Sequence, residues 1–508
     1  MIHELVTAAF WFSFATSNQV EAKLELDPAE AQMARQGCAY ASAEERDAAV
    51  VNAEGQTGAD ILRLLIEKQG AQEVIVYRGD FSGEDMRAIA PLVRGGCFFQ
   101  TKLDKTDWRG ADFSGTDFTS ASADGANFNG ATLEDARIVG MSLKEADFTG
   151  AKLARSRFVG AFGSLNLSNT NFTRADLTEA GFSCGIEVYA WCFDSYTAQF
   201  GEAELARADL STLGIWIEGN FDRARLDETR ISPRSIPNLA AASLVGPIIL
   251  QSQNWWQVEG DERPPTATVS PQEFRALVVA SRSAKRDVPS FDCTKAGNYA
   301  ERTICGEYNS HLRIKDRDMA ALYDELRGAG KVTTQSQRQW IQSRGRCADE
   351  ECLAASYDRR MDTLFAARGD RLILAPDQSV TYYNETLPLA DELRDTPLYR
   401  RILPVLKDAA SQSITLTGME DGSVSAEGDA LGANAHICSM GVYDATFDPA
   451  NGWHSGTLED GTRVPLFRVW GDRLLLRYSG NLGDTPEKAW DFISCGARAS
   501  FIDGRRLD

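Results

Sequence analysis

The stretch GADFSGTDFTSASADGANFNGATLEDARIVG, Gly110–Gly140, carries a Phe, Leu or Ile at nearly every fifth position and a small residue two places before it. An α-helix returns to the same face about every 3.6 residues and a strand every second residue, so neither places five-spaced residues on one face. The pattern fits a chain that turns once per pentapeptide. We therefore predict a polygonal solenoid, in which each pentapeptide forms one side of a square coil with its large and small residues inward.

The five-residue period extends on both sides of this stretch. It begins at Leu103 and reaches Phe158, and a four-residue step through Phe162 continues it to Phe182. The register then breaks and resumes weakly from Phe200, which predicts one or two further coils. Because a single repeat cannot bury its own apolar face, the core forms only when coils stack at strand spacing, about 4.8 Å.

The pentapeptides ADFSG, ADFTG, ANFNG and ADLTE match the pattern A-(D/N)-L-X-X, and residues 98–231 resemble the pentapeptide-repeat family. The resemblance implies a right-handed quadrilateral β-helix. Some family members are acidic rods that resemble DNA and bind topoisomerases. This region has only 20 acids against 13 bases, and export would separate it from such enzymes, so that function is disfavoured. GFSCG, Gly181–Gly185, matches a serine-nucleophile pattern by its letters only, since it lies on a solenoid side and not on a strand-turn-helix elbow.

The segments before the repeat are predicted to be a leader and a cap. Residues 1–22 are predicted to be a signal peptide, because the apolar run Leu5–Ser17 is followed by a small-residue cleavage sequence; an N-terminal core helix is the alternative. Residues 23–97 are interpreted as a small α/β module with a strand in EVIVY and a helix in GEDMRAIAPLVRGG. This module is expected to cap the first coil, whose open end exposes apolar surface and unpaired backbone.

Residues 232–288 are predicted to be a transitional segment after the repeat. IILQSQNWWQ is apolar enough to cover the far end of the solenoid, and GDERPPT is interpreted as a linker. SPQE, Ser270–Glu273, has the form of a capping box with Pro at the first helical position. It predicts a helix that runs through Val279.

The ten cysteines divide evenly among the predicted segments. The even division favours local disulfides over free thiols or a zinc site, and disulfides indicate an oxidising compartment. We expect pairs between Cys38 and Cys97, between Cys184 and Cys192, and between Cys438 and Cys495. The pairing stays open among four others: Cys293, Cys305, Cys347 and Cys352.

Residues 289–365 are predicted to form a small helical domain held by its cysteines. Leu312, Asp316, Met319 and Tyr323 share one helical face. Cys347 and Cys352 bracket a tight acidic turn, so the helices on either side of it are expected to pack as antiparallel neighbours. Arg344 lies one helical turn after Trp340 and is expected to stack on its ring.

This segment resembles the LprI-type lysozyme-inhibitor N-terminal domain. Besides the four cysteines, nine residues belong to the resemblance: Phe291, Glu301, Asp316, Tyr323, Gln337, Trp340, Arg344, Tyr357 and Arg360. The resemblance implies an exported bacterial protein and, for the type member, inhibition of lysozyme. From the residues themselves we assign mostly structural roles: Trp340 and Tyr323 to the core, and Asp316 and Glu301 to helix caps or to pairs with arginines.

Residues 376–508 are predicted to be a disulfide-bonded α+β domain with a small β-roll or barrel. The segment begins with helical sequence and continues as strand candidates separated by Gly, Asp and Asn turns. In NGWHSG, Asn451–Gly456, we interpret Trp453 and His454 as exposed residues of a hairpin turn; a recognition loop is the alternative.

Together the segments predict a multidomain α+β protein without a catalytic, cofactor or metal site. The four histidines do not pair with a nucleophile or metal motif. The net charge of −20 argues against nucleic acid as a partner, and no segment after the leader is long and apolar enough to cross a membrane. The helical segment has 12 acids and 12 bases, so electrostatic capture of a cationic enzyme would involve the whole chain.

The favoured hypothesis is an exported, periplasmic or secreted, non-catalytic binding protein. It would occlude a protein partner such as lysozyme or another cell-wall hydrolase, while the solenoid acts as a rigid spacer or as a second interaction surface. Two alternatives are kept. One is an envelope scaffold without inhibitory activity, and the other is a cell-wall enzyme with its site in the C-terminal domain, since paired carboxylates can hide among 73 acids.

Overall fold

The structure is a computed structural model of the 508-residue chain. It describes residue 38, residue 65 and the ranges 49–56, 60–61, 74–160, 165–184, 193–194, 197–213, 220–252, 264–284, 288–431, 437–478, 487–495 and 499–507. The expected signal peptide and Cys192 of the expected Cys184–Cys192 pair lie outside the described residues.

The repeat folds into a four-sided solenoid. Four parallel ladders run along it, and in its regular part each residue pairs with the one 20 positions later, so that one coil contains four pentapeptides. The ladders contain Lys102, Ser122 and Ser142; Asp107, Asn127 and Asp147; Asp112, Thr132 and Lys152; and Asp117, Arg137 and Arg157. The predicted square coil, with one pentapeptide per side, is confirmed.

The inward residues stack from coil to coil and form the core. One column is aromatic, and its consecutive ring centroids are 4.5–5.2 Å apart: Trp108, Phe128, Phe148, Phe172, Phe200 and Phe221. In the described residues, the small side chains two places before these rings, such as Ala126 and Ala146, are also buried. Each stacked pair contributes about 0.5–1.5 kcal/mol beyond the area it buries.

The corners of the coils need a left-handed residue once per pentapeptide. Glycine supplies it at several corners, for example at Gly115 with φ 69°. In the column above Gly115 the left-handed residues are charged, and their signs alternate from coil to coil: Asp135, Arg155, Glu179, Arg207 and Glu228. Arg155 pairs with Asp135 at 2.8 Å and Arg207 with Glu179 at 2.8 Å. The surface charge of these corners is therefore largely compensated within the solenoid. We call this set the charged corner column.

Phe162, which was predicted to continue the register after a four-residue step, lies outside the described residues. The ladder spacing changes at this point. Phe158 pairs with Ile138, 20 positions earlier, whereas Asn166 pairs with Ser142, 24 positions earlier.

In the described part of the chain, fifteen strands form the solenoid and its two ends. In chain order they are β1 (Ala49–Asn52), β2 (Val74–Tyr77), β3 (Cys97–Phe99), β4 (Asp117–Thr119), β5 (Arg137–Val139), β6 (Arg157–Gly160), β7 (Leu165–Asn166), β8 (Gly181–Cys184), β9 (Phe193–Asp194), β10 (Asp209–Leu210), β11 (Arg225–Leu226), β12 (Arg230–Ile231), β13 (Ser243–Leu244), β14 (Ile248–Gln251) and β15 (Thr266–Val269). Eleven of them make one sheet, in which β15 alone is antiparallel to its neighbour.

The solenoid begins earlier than the sequence suggested. The predicted helix GEDMRAIAPLVRGG is instead a 3-10 turn, Met86–Ala88, and one short helix, α1 (Ala90–Val93). Asp85 already pairs with Asp107 in the second ladder, and Phe81 and Met86 lie inward at five-residue spacing. This stretch forms the first turn of the solenoid, because its apolar residues fit the solenoid interior. A disulfide joins Cys38 to Cys97.

The far end of the solenoid is covered by a strand and two helices. Ser270 and Glu273 form the predicted capping box, which begins α2 (Pro271–Ser283). Helix α8 (Pro397–Asp408) comes from the C-terminal region, and its Ile402 and Val405 belong to the same apolar core as the coils. Arg401 of α8 pairs with Glu273 of α2 at 2.5 Å. The C-terminal region therefore packs directly on the solenoid, which does not hold it apart as a spacer would.

The cysteine-rich segment forms four helices, which we call the helical unit. They are α3 (Tyr299–Ile304), α4 (Ser310–Gly328), α5 (Thr334–Arg344) and α6 (Glu350–Arg368). Disulfides join Cys293 to Cys305 and Cys347 to Cys352. None of the helices in the described part of the chain has the length and apolar character needed to span a bilayer.

The C-terminal region contains a closed barrel of eight strands. They follow one another around the barrel as β16 (Ser379–Tyr383), β17 (Gln412–Gly418), β18 (Val424–Leu431), β19 (Ile437–Phe447), β20 (His454–Thr457), β21 (Arg463–Trp470), β22 (Arg473–Leu476) and β24 (Gly504–Arg505), which pairs with β16. A ninth strand, β23 (Ile493–Cys495), pairs with β19, and the Cys438–Cys495 disulfide joins them. Helices α7 (Asp391–Arg394) and α8 lie between β16 and β17.

Trp453 and His454 are not exposed, so the interpretation as a solvent-facing turn was wrong. Both side chains are buried, at 4% and 3% exposure. The preceding Gly452 lies against Phe365 of α6, where any Cβ would come within 2.7 Å of the Phe365 Cβ. The turn is buried because the helical unit packs on it.

Candidate functional site

The nine residues of the LprI-type resemblance lie in or next to the helical unit, and a buried polar cluster joins three of them. Asp316 of α4 accepts hydrogen bonds from Arg344 of α5 at 3.2 Å and from the Tyr357 hydroxyl of α6 at 2.6 Å. Its second oxygen accepts bonds from the backbone and side chain of Ser290 at 2.7 and 2.6 Å. Burial, followed by the nearby Asp316 carboxylate, raises the pKa of Tyr357. The cluster fixes three helices relative to one another.

Aromatic rings enclose the Arg344 guanidinium. Its Cζ lies 5.3 Å from the Trp340 ring centroid and 5.8 Å from that of Tyr357, while these two rings meet edge to face at 5.2 Å. The predicted stacking of Arg344 on Trp340 is confirmed. The Arg344–Asp316 pair is almost wholly desolvated, so removing either partner would leave a buried charge.

The other resemblance residues also have partners inside the helical unit. Gln337 accepts two hydrogen bonds from Arg360, at 2.8 and 3.2 Å, and burial lowers the pKa of Arg360. Glu301 forms a capping box with Asn298, and the Gly297 backbone N–H lowers the pKa of Glu301. Tyr323 is buried, and Phe291 packs against the same apolar core. In the described structure these residues build the internal framework of the unit.

A second set of residues, which the sequence did not reveal, attaches the helical unit to the barrel. Asp318 of α4 pairs with Arg473 of β22 at 2.6 Å, and Glu325 of α4 accepts a hydrogen bond from Trp470 at 2.8 Å. Asp318 and Glu325 lie two turns apart on α4. The face of this helix that binds the barrel is therefore distinct from the face that carries Asp316.

Arg468 of β21 is the centre of this attachment. Its guanidinium lies between two rings, 4.1 Å from the centroid of Phe365 and 4.2 Å from that of Trp453. It donates to Asp362 of α6 at 3.0 Å, and the Trp453 indole N–H donates to the same carboxylate oxygen at 3.0 Å. Burial lowers the pKa of Arg468 to about 10. We call the contacts of Arg468, Asp362, Trp453 and Phe365 the junction.

Carboxylates that approach one another in or next to the barrel are held by arginines and backbone N–H groups. Asp318 of α4 and Asp503 lie near Arg473, and the Leu476 N–H donates to Asp503 at 2.8 Å. Glu385 pairs with Arg394 at 2.5 Å and with Arg505 at 3.6 Å. Among the described residues, no group of three or more His, Cys, Asp or Glu side chains is arranged to hold a metal ion.

Four disulfides are present in the described part of the chain. Their positions span the start of the solenoid, the helical unit and the barrel. Disulfides of this number persist in oxidising compartments and are rare in the cytosol of mesophiles. They therefore suggest a location outside the cytoplasm.

The sequence model for "Pentapeptide repeats" matches residues 97–135 and 126–162, with eight copies. Among solved structures, the chain is similar to HetL, a pentapeptide repeat protein involved in heterocyst differentiation regulation from the cyanobacterium Nostoc sp. strain PCC 7120. The identity is 21%, with 35% of this chain and 81% of HetL covered and a TM-score of 0.20. Full-length QnrB1, a plasmid-mediated fluoroquinolone resistance protein, is 22% identical over 31% of this chain and 86% of its own, with a TM-score of 0.18.

A third solved structure is Rfr23, a pentapeptide repeat protein from the cyanobacterium Cyanothece 51142. It is 16% identical, with 27% of this chain and 88% of Rfr23 covered and a TM-score of 0.16. No curated protein matches the chain. The family match and the four ladders establish the repeat fold, and residues 97–162 are pentapeptide repeats.

Proposed function

We propose that the protein is an exported, non-catalytic protein that binds a protein partner, with lysozyme or another cell-wall hydrolase as the first candidate. In this proposal the LprI-type segment and the barrel act together as one binding body, and the enzyme's cleft is blocked sterically. The pentapeptide solenoid carries this body at its far end, because α8 packs on the last coils.

The observation that carries the proposal is the junction. Arg468 is buried between two aromatic rings and joined to Asp362, so the helical unit and the barrel have one relative orientation. A surface that is fixed before binding loses little conformational freedom when a partner docks, and affinity gains from this. The disulfides in the helical unit and in the barrel fix the two parts further.

The charge of the chain supports a cationic partner. Its net charge is −20, and lysozymes are usually cationic, so long-range attraction would speed their encounter and would weaken with added salt. The helical unit alone does not supply this field, because its acids and bases balance.

The test is an inhibition assay with the full, oxidised chain. Lysozymes of several types are assayed on cell wall as substrate, and binding is measured in parallel. We expect inhibition of at least one type at micromolar concentration or below, lost when the protein is reduced and alkylated. Absence of both inhibition and binding for every type would refute lysozyme as the target. Non-reducing peptide mapping of protein from the native host tests export, which requires the cysteines to be oxidised.

A scaffold without inhibitory activity is the second candidate. The eleven-stranded sheet of the solenoid continues from β1 to β15, which supports a rigid scaffold. The inhibition assay distinguishes the two candidates, because a scaffold would hold envelope proteins together and leave lysozyme activity unchanged.

A further inference from the structure

One outward side of the barrel is exposed and combines acidic and aromatic side chains. On β18 and β19 the register places Glu427 opposite Gly441 and Asp429 opposite Ser439. Their neighbours along the strands, including Ala426 and Met440, point inward and are buried. Side chains alternate between the two faces of a strand, so Glu427, Asp429, Ser439 and Gly441 share the outer face.

Two exposed aromatic residues lie in the segments next to this pairing, Tyr443 on β19 and Trp490 in the turn before β23. Met440 pairs with Ile493, and the Gly441 N–H donates to the Phe492 carbonyl at 3.0 Å. Tyr443 is two residues after Gly441, and Trp490 is two residues before Phe492. Tyr443 is 68% exposed and Trp490 55% exposed. Large aromatic side chains exposed to this extent are enriched at protein interfaces and at their energetic centres.

Gly441 leaves open space between the acids and the rings. A Cβ built on Gly441 would meet no atom within 4 Å. A long side chain from a partner can therefore lie across Gly441 without a clash. We call Glu427, Asp429, Gly441, Tyr443 and Trp490 the outer barrel face.

The acids of this face differ from those of the solenoid. In the charged corner column, acids pair with arginines of adjacent coils. Within the described residues, neither Glu427 nor Asp429 lies within ion-pair distance of a base, and Asp429 accepts only a hydrogen bond from Ser439 at 2.6 Å. Their negative charge is left for a partner.

We propose that the outer barrel face is the docking surface for a basic protein, whose Arg or Lys side chains lie over Tyr443 and Trp490 and pair with Glu427 and Asp429. Cations bind the faces of Trp and Tyr rings and form charge-assisted hydrogen bonds with carboxylates. The same acids repel phosphate, which disfavours nucleic acid on this face. The inference rests on the proposed function, since it names the surface with which the protein binds its partner.

The test measures dissociation constants for two probes, lysozyme and cytochrome c, the second being a cationic protein that does not act on cell wall. Full-length chains are compared: wild type, Trp490→Ala, and the double variant Glu427→Gln with Asp429→Asn. We expect each variant to weaken binding of the probe at least tenfold, and the double variant also to reduce its salt dependence.

Two control variants match these changes elsewhere on the surface. Tyr308→Ala removes an aromatic side chain that is 89% exposed on the helical unit, and Glu392→Gln neutralises an exposed acid of α7. Both should leave binding within twofold of wild type. Far-UV circular dichroism of every variant checks that the fold is kept.

The outcomes separate this inference from the proposed function. If lysozyme binds wild type and all variants equally, the outer barrel face is refuted while the binding function stands. If cytochrome c binds through this face and lysozyme does not, lysozyme is refuted as the target and the face stands. If neither probe binds wild type at micromolar concentration, the preference of this face for basic proteins is refuted.

Discussion

Replacing Arg468 with Met should loosen the helical unit from the barrel. The change removes the ion pair with Asp362 and two cation–π contacts, at 4.1 and 4.2 Å, while keeping an apolar stem in the gap. Breaking a buried pair costs about 3–5 kcal/mol, and Asp362 is 31% exposed, which favours the lower limit. Each cation–π contact adds about 0.5–1 kcal/mol, and new packing by Met offsets part of the loss. We expect a net loss of about 3 kcal/mol in the attachment.

Hydrogen exchange detected by mass spectrometry measures this loss locally. Amides of α4 and α6 that exchange by detachment of the helical unit should exchange about 100-fold faster, since about 1.4 kcal/mol corresponds to tenfold. Amides in the coils around Phe148 should not change. Far-UV circular dichroism should show that the helices themselves persist.

Arg463→Met is the matched control, because it makes the same substitution on the same strand. Arg463 is exposed and donates only to Thr446, so exchange in α4 and α6 should stay within threefold of wild type. A double-mutant cycle with Asp362→Asn should give a coupling of at least about 1 kcal/mol. Additive effects, or unchanged exchange in α4 and α6 of the Arg468 variant, would refute the claim that this arginine attaches the unit.

Three further predictions concern stability. Phe148→Ala should lower the free energy of unfolding of the solenoid by about 4 kcal/mol, because it opens a cavity and breaks ring stacks at 4.5 and 5.1 Å. Phe148→Leu should lower it by about 1 kcal/mol. Urea melts of both variants measure these two losses. Burial lowers the pKa of His454 to about 4, so the unfolded chain binds this proton below about pH 6.5 while the folded protein does not, and stability should fall as pH falls from 6.5 to 4. His454→Gln should flatten that slope in pH-dependent melts, and an equal slope in both proteins would contradict this account. Replacing Cys38 and Cys97 together with Ala opens their disulfide and should lower the free energy of unfolding by about 4 kcal/mol. Urea melts of the oxidised wild type and the oxidised variant measure the difference, and equal melts would contradict the prediction.

The sequence predicted those features that depend on local spacing. The inward position of Phe128 or Leu133 follows from the five-residue period alone, and the stacking of Arg344 on Trp340 follows from one helical turn. The early start of the solenoid was missed because Met86 lies in a stretch with equally good helical spacing.

The junction could not be predicted in the same way. Asp362 and Arg468 are 106 residues apart, and no periodicity connects them. Trp453 looked exposed because NGWHSG has the composition of a turn, and turns usually face solvent. Only the packing of Phe365 against Gly452 reverses this expectation, and that contact belongs to two different segments of the chain.

Because the signs alternate along the charged corner column, it matters whether an odd or an even number of coils is deleted from the solenoid. Deleting the coil side that carries Glu179, together with the rest of its coil, would bring Arg155 against Arg207, and like charges at adjacent positions repel. Deleting two consecutive coils would instead bring Asp135 against Arg207 and restore an attractive contact. A chain of this kind can therefore gain or lose coils most easily in pairs.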